Sequence, residues 1–158
     1  MSPKDRFRRR PELESLEGRE LLTKGVVPTS FLFSPIPENA QLAEHIHPQL
    51  TILINGQQQS IPAGIGISPN GALPLHTHDG TGTIHIESTA VLPFRLKDFF
   101  TIWGQSFDKN HILNATTDRK HRIVMTVNGR PSQAFGTLPL RDFQDIVIRF
   151  VTVPSRKR

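Results

Sequence analysis

Five of the seven histidines lie between residues 45 and 85, as two His-x-His pairs and one single histidine. The pairs are His45 with His47 and His76 with His78, and His85 follows in the run LHTHDGTGTIHIES. Side chains two positions apart on a strand point to the same face, so each pair presents two imidazoles in one direction. Neutral imidazole is the commonest protein ligand for zinc, copper and other transition metals. The spacing therefore predicts a metal site.

One divalent transition metal, zinc or copper, is predicted to bind to His76, His78 and His85. The earlier pair, His45 and His47, is expected to lie close enough to assist. Catalytic zinc sites commonly have three protein ligands and leave one position open. Asp79 and Glu87 could act as ligands, or they could accept hydrogen bonds that fix the imidazole tautomers. The alternative is that all these histidines are ordinary solvated or hydrogen-bonded groups at strand ends.

Other metal sites and common catalytic motifs fit the sequence less well. The chain has no cysteine, which excludes disulfides, thiolate zinc sites and blue-copper sites. Multicopper oxidases use more HxH pairs and a cysteine for electron entry. Cupins place a glutamate a few residues after the HxH pair, whereas Glu87 comes nine residues after His78. The sequence also lacks a serine nucleophile elbow, a phosphate loop and a dinucleotide fingerprint.

The elements that must position the histidines are predicted to be mainly strands. The Asn-Gly pairs at 55–56 and 128–129 follow β-branched runs, and Asn-Gly is the strongest short hairpin signal. Residues 83–88 alternate as a strand with His85 and Glu87 on one face. The HIHP segment precedes the first predicted strand, and its Pro48 interrupts any continuous pairing there.

One helix is predicted near residues 95–103, and Gly104 supplies its C-terminal stop. Its apolar stripe consists of Leu96, Phe99, Phe100 and Trp103. The only tryptophan lies on this stripe, so it is expected to pack in the core. These elements predict a mainly β fold, an antiparallel sandwich or open barrel of five to six strands with one short helix. A β-grasp-like α+β fold is the alternative.

The positive charge is concentrated at the two ends of the chain. The net charge is +5, but residues 1–10 carry +4 and residues 156–158 carry +3, which leaves −2 for residues 11–155. Nucleic-acid-binding domains usually carry a basic stripe on the folded surface. We therefore expect no nucleic acid as a partner. Nothing approaches 18 consecutive apolar residues, so no transmembrane segment is expected either.

The chain divides into three predicted parts: a leader or tail over 1–30, one histidine-rich β domain over 40–153, and a basic tail over 154–158. The leader resembles the N-terminal sorting leaders of planctomycete-type cell-surface proteins. The residues that match their pattern are Arg10, Pro11, Leu13, Glu14, Leu16, Glu17, Arg19, Leu21 and Leu22. This resemblance implies an extracellular or cell-surface location. Alternatively, the segment is a short amphipathic helix whose leucines pack on the domain.

Residues 45–150 resemble an uncharacterised prokaryotic domain. The resemblance is carried by HIHP, LTILING, LHTHD, IHIES, FFTIWG and VMTVNG in this order. It implies a shared fold and a meaningful set of histidines, and it implies no particular activity.

Three kinds of function remain open at this point. The first is a secreted or cell-surface β domain that binds zinc or copper through its histidine cluster. The second is a metal-dependent enzyme in which His76, His78 and His85 leave a position for an activated water. The third is a structural or adhesive surface module. His111 and His121, in polar surroundings, are expected to be solvent-exposed and to bind no metal.

Overall fold

The computed structural model of the chain describes residues 25–154. The helices in this range are α1 (Thr29–Leu32), α2 (Leu96–Trp103) and a 3-10 helix (Phe135–Thr137). The strands are β1 (Glu44–Ile46), β2 (Gln49–Ile54), β3 (Gln57–Gln58), β4 (Ile67–Ser68), β5 (Gly71–Ala72), β6 (Leu75–His76), β7 (His85–Ser88), β8 (His111–Ile112), β9 (Ala115–Thr116), β10 (His121–Val127), β11 (Arg130–Ser132) and β12 (Asp145–Thr152). The expected mainly β class is confirmed, although several of these strands are only two residues long.

Five strands form an open main sheet in the order β11-β10-β12-β2-β3. Its neighbouring strands are antiparallel except at the centre, where β12 and β2 are parallel. One hairpin lies on each side of β12, β10-β11 on one side and β2-β3 on the other, and α2 belongs to the connection between the two hairpins. This arrangement corresponds to the β-grasp-like alternative. The parallel pair departs from a purely antiparallel sheet because the last strand inserts between the first strands of the two hairpins.

Both predicted Asn-Gly turns are present. The residues at 55–56 join β2 to β3, and those at 128–129 join β10 to β11. In each turn the Asn and the Gly both have positive φ angles, 51° and 80° in the first and 50° and 76° in the second. Two positive φ angles define the type I′ turn, whose twist matches that of the flanking strands.

A second, smaller sheet has the order β1-β7-β6 and contains His45, His76 and His85, while His47 and His78 lie just beyond the ends of β1 and β6. The HIHP segment does not simply precede the first strand, because its first residues form β1. Pro48 then separates β1 from β2, as expected of a residue without an N–H donor. Pairing resumes directly afterwards, where the Leu50 N–H donates to the Gly82 carbonyl at 2.9 Å. The segment before β7 thereby connects the two sheets.

One hydrophobic core lies under both sheets and α2. The main sheet contributes alternate residues, among them Ile52 and Ile148, and α2 contributes Phe99 and Phe100. Trp103 is only partly buried, and it packs against the edge of this core. The predicted stop at Gly104 is confirmed by its left-handed φ of 71°. At the other end of α2, the Asp98 carboxylate accepts the Arg95 N–H at 2.7 Å.

The packed region begins before residue 40, the predicted start of the domain. Val27, which precedes α1, and Leu32, the last residue of α1, are each 3% exposed and belong to the core. Residues 1–24 of the predicted leader and residues 155–158 of the predicted basic tail lie outside the described residues. Among the described residues, no helix is long and apolar enough to span a membrane.

The contribution of α1 can be measured directly. We predict that Leu32→Ala lowers the free energy of unfolding by about 2–5 kcal/mol, the usual cost of truncating a buried leucine. The matched control is Phe33→Ala, the next residue, whose side chain is 48% exposed and whose loss should cost well under 1 kcal/mol. Urea unfolding of both variants gives the two values. Equal, small effects would show that α1 adds nothing to the core.

Candidate metal centre

The middle strand of the small sheet, β7, presents two potential ligands on one face. Ile84 and Ile86 are fully buried on one face. His85 and Glu87, which alternate with them along the chain, point to the opposite face. This is the alternation expected from the sequence. On one side His45 of β1 is the register partner of Glu87, and on the other side His76 of β6 is the partner of His85. The register therefore brings both HxH pairs beside β7.

His76 is the most buried member of the cluster, at 1% exposure. Its Nδ1 lies 2.8 Å from the Leu73 carbonyl oxygen. A carbonyl only accepts, so Nδ1 carries the proton, and Nε2 of the neutral ring presents its lone pair to the cluster. Burial lowers the pKa of His76, which favours this neutral form. His76 is thus held in the protonation state and orientation that a metal ligand requires.

His78 lies beyond the end of β6, so the strand itself does not hold it. The intervening Thr77 is fully buried, and its hydroxyl donates to the Pro62 carbonyl at 2.8 Å and accepts the Ile65 N–H at 3.1 Å. These contacts fix the backbone between the two histidines. As a result, the Nε2 atoms of His76 and His78 are 3.2 Å apart.

The first ligand group consists of His76, His78, His85 and Glu87, with one potential ligand atom from each within 4.8 Å of all the others. The Glu87 Oε1 atom is 3.9 Å from His76 Nε2. Bonds of about 2.0–2.1 Å in a tetrahedron place two zinc-bound nitrogens roughly 3.3 Å apart. This group could therefore hold a metal ion.

The second ligand group consists of His45, His47 and His85. The Nε2 atoms of His45 and His47 are 3.1 Å apart. The Asp142 Oδ1 atom accepts the backbone N–H of His47 at 2.9 Å and lies 3.7 Å from its Nδ1. Asp142 thus fixes the backbone of His47, whose ring places Nε2 beside His45. No local pattern in the sequence links Asp142 to a histidine 95 positions away, so its contact with His47 was not predicted.

His85 belongs to both groups. The centre of its ring lies 4.4 Å from that of His78 and 4.8 Å from that of His47. Burial, followed by the nearby imidazoles of His78 and His47, lowers the pKa of His85. The neutral form of this ring on the middle strand is therefore favoured, and the ring is within reach of both HxH pairs.

Asp79 was predicted beside the histidines, and it belongs to neither ligand group. Its Oδ1 atom accepts the Thr81 hydroxyl at 2.5 Å and the Thr81 N–H at 2.9 Å, and these hydrogen bonds lower the pKa of Asp79. The carboxylate thereby shapes the turn that leads into β7. Within this turn Gly82 has φ 86°, and a Cβ there would collide with the Leu50 carbonyl. Glycine is thus required where the two sheets meet.

The remaining histidines lie outside the cluster, and each is paired with an aspartate. His111 Nδ1 is 2.9 Å from both Asp108 carboxylate oxygens, and His121 Nδ1 is 2.9 Å from Asp118 Oδ1. Both side chains are only partly exposed, at 45% and 29%. The expectation of simple solvent exposure missed these pairs, which the repeated Asp-x-x-His spacing indicates.

The lowered histidine pKa values predict acid sensitivity of the metal-free protein. Unfolded histidines keep a pKa of about 6.5, whereas burial lowers the pKa of His76 and His85 in the folded chain. Below about pH 6.5 the unfolded chain therefore binds more protons, and the free energy of unfolding should fall as the pH drops. Urea unfolding in a chelator from about pH 7.5 to about pH 5.5 covers this histidine range. His76→Gln should flatten the dependence and His111→Ala should not; an unchanged slope in His76→Gln would contradict the assignment.

Comparison with known proteins gives no match. No family model matches the chain, and neither a curated protein nor a solved structure matches it. The chemistry of the histidine cluster is therefore inferred from the positions and environments of its own side chains.

Proposed function

We propose that the chain is a metal-binding domain that holds a divalent transition metal, zinc or copper, through His76, His78 and His85. The single observation that carries the proposal is the buried His76 Nε2. The hydrogen bond from Nδ1 to Leu73 leaves this nitrogen as an acceptor, and it faces His78 Nε2 at 3.2 Å. A metal ion satisfies both nitrogens at once.

A hydrogen bond between the rings is the competing explanation of one short contact. It requires His78 Nε2 to carry a proton and to donate it to His76. His45 and His47 repeat the short contact, with their Nε2 atoms 3.1 Å apart, so the competing explanation needs a second, independent hydrogen bond between rings. His85 and Glu87 also turn ligand atoms to the same place. Metal binding accounts for all of these contacts together.

The chemistry of the side chains favours zinc or copper. Imidazole nitrogen suits both metals, and the carboxylate of Glu87 adds an oxygen ligand. The absence of cysteine removes the soft thiolate that would favour iron–sulfur clusters or a blue-copper centre. Asp79, whose carboxylate already accepts two hydrogen bonds from Thr81, supports the loop beside the ion and does not bind it directly.

The position of the cluster favours metal binding over catalysis. His45 and His78 are exposed, whereas His76 is buried. Solvent therefore reaches the cluster directly through its exposed members, which suits the capture, storage or sensing of an ion. An enzyme site would be expected in a deeper, water-excluding cleft.

We further propose that this domain acts outside the cell or at its surface. The support is the resemblance of residues 10–22 to sorting leaders of cell-surface proteins. A reporter that carries residues 1–30 should be exported by cells that use such leaders. The same reporter with residues 31–60 in their place should remain inside; export of both or of neither would contradict this location.

Metal binding has a direct test in which folding is not at risk. His78 is exposed, so His78→Ala should leave the fold intact and remove most of the affinity for zinc or copper. Loss of one of three ligands should weaken binding at least about 10- to 100-fold, the range seen even for groups that only support ligands. Calorimetric titration of the purified chain measures the affinity.

The matched control is His111→Ala, because this histidine is also partly exposed and hydrogen-bonded but lies outside the cluster. It should bind the metal as the unaltered chain does. Equal affinity in His78→Ala and in the unaltered chain would contradict the proposed ligands. The absence of binding by the unaltered chain would contradict the proposed function as a whole.

A further inference from the structure

The cluster contains more ligands than one ion uses. The two ligand groups together contain six side chains, namely two HxH pairs, one additional histidine and one glutamate. Zinc is almost always bound by four ligands in structural sites, and by three protein ligands and a water in catalytic sites. The site proposed above accounts for one group and leaves His45 and His47 without a role.

The unused pair has the features of a ligand pair in its own right. Its Nε2 atoms are 3.1 Å apart, nearly the same separation as in the first pair. Asp142 accepts the backbone N–H of His47, and its Oδ1 atom lies 3.7 Å from Nδ1 of the ring, on the side away from His45. A carboxylate behind an imidazole is a common arrangement at metal sites, because it orients the ring and raises its basicity.

Glu87 lies between the two pairs. Its Oε1 atom is 3.3 Å from His45 Nε2 on one side and 3.9 Å from His76 Nε2 on the other. The cause is the sheet order, since β7 carries this residue between β1 and β6. The same oxygen faces both nitrogens, so a carboxylate in this place can bridge two ions.

We propose that the cluster holds two divalent transition-metal ions bridged by the Glu87 carboxylate. One ion is bound by His76, His78 and His85, and the other is bound by His45 and His47 with solvent in its remaining positions. The proposal rests on the proposed function, because it adds a second ion to the same cluster. Two-metal sites commonly separate their ions by about 3.5–4 Å, a distance that a bridging carboxylate spans.

Charge supports the second ion as well. Two cations at this distance repel each other, so a two-metal site needs anionic groups close by. In the described part of the chain, two carboxylates lie 3.3–3.9 Å from imidazole nitrogens of the cluster, Glu87 beside His45 and His76, and Asp142 beside His47. Glu87 lies between the two proposed ions, and Asp142 lies behind the His47 ring.

The experiment is a copper titration of the full chain, followed by elemental analysis and electron paramagnetic resonance. The unaltered chain should bind two copper ions and show a spectrum of magnetically coupled Cu²⁺. The double variant His45→Ala with His47→Ala should bind one ion and show an uncoupled spectrum. The matched control, His111→Ala with His121→Ala, removes two histidines outside the cluster and should keep both ions and the coupling.

Each other outcome is decisive. One ion in the unaltered chain would overturn the two-metal site and leave the proposed function intact, whereas no ion would overturn both. Two uncoupled ions, or two ions that persist in the His45 and His47 double variant, would place the second ion elsewhere and also overturn it. The coupled spectrum is measured on the unaltered chain, so the test does not depend on the folding of any variant.

Discussion

The pairing of β7 with β1 along one edge and with β6 along the other is the constraint on which the cluster depends. Strand pairing fixes which residues stand opposite each other, and a shift by one residue would turn each side chain to the other face. The observed register buries Ile84 and Ile86 fully, and burying two such side chains stabilises the fold by several kcal/mol. The same register necessarily places His85 and Glu87 together on the outer face. Core packing thereby enforces the ligand geometry.

The packing around His76 fixes the orientation of its buried imidazole ring. A polar ring in an apolar environment is unfavourable unless it is hydrogen-bonded, and the Leu73 carbonyl meets this need at one nitrogen only. The loop from Pro62 to Gly66 closes over the strand, and Gly66 approaches so closely that a Cβ would lie 2.5 Å from the Leu75 carbonyl. The ring therefore has little freedom to turn, and the orientation of Nε2 is set before any ligand arrives.

The cluster also joins parts of the chain that are far apart in sequence. His47 contacts Asp142 across 95 positions, beside the junction of the central strands β2 and β12. Forming a contact of such long range costs chain entropy. A ligand that binds only the folded cluster would offset part of this cost, because it stabilises the folded state relative to the unfolded chain. Because its ligands come from three strands and a loop, an ion bound by the cluster would couple metal affinity to the stability of the small sheet.

Local chemistry in the sequence determined several parts of this protein. The two Asn-Gly turns follow from the ease with which these residues adopt positive φ. The helix near Gly104 follows from its apolar stripe, and the faces of β7 follow from strict alternation. The histidines themselves, and the absence of cysteine, limited the chemistry to imidazole and carboxylate ligands. Each of these signals lies within a few neighbouring residues, which is why it can be read from the chain alone.

Only the tertiary structure decided which of these elements meet. The parallel pairing of β2 with β12, the place of β7 between the two HxH pairs and the contact of Asp142 with His47 all join distant segments. The packing of Val27 and Leu32 on a domain predicted to begin at residue 40 is of the same kind. The physical reason is that strand edges and apolar surfaces accept many partners. The choice among them is made by the whole core, through shape and burial that no local pattern records.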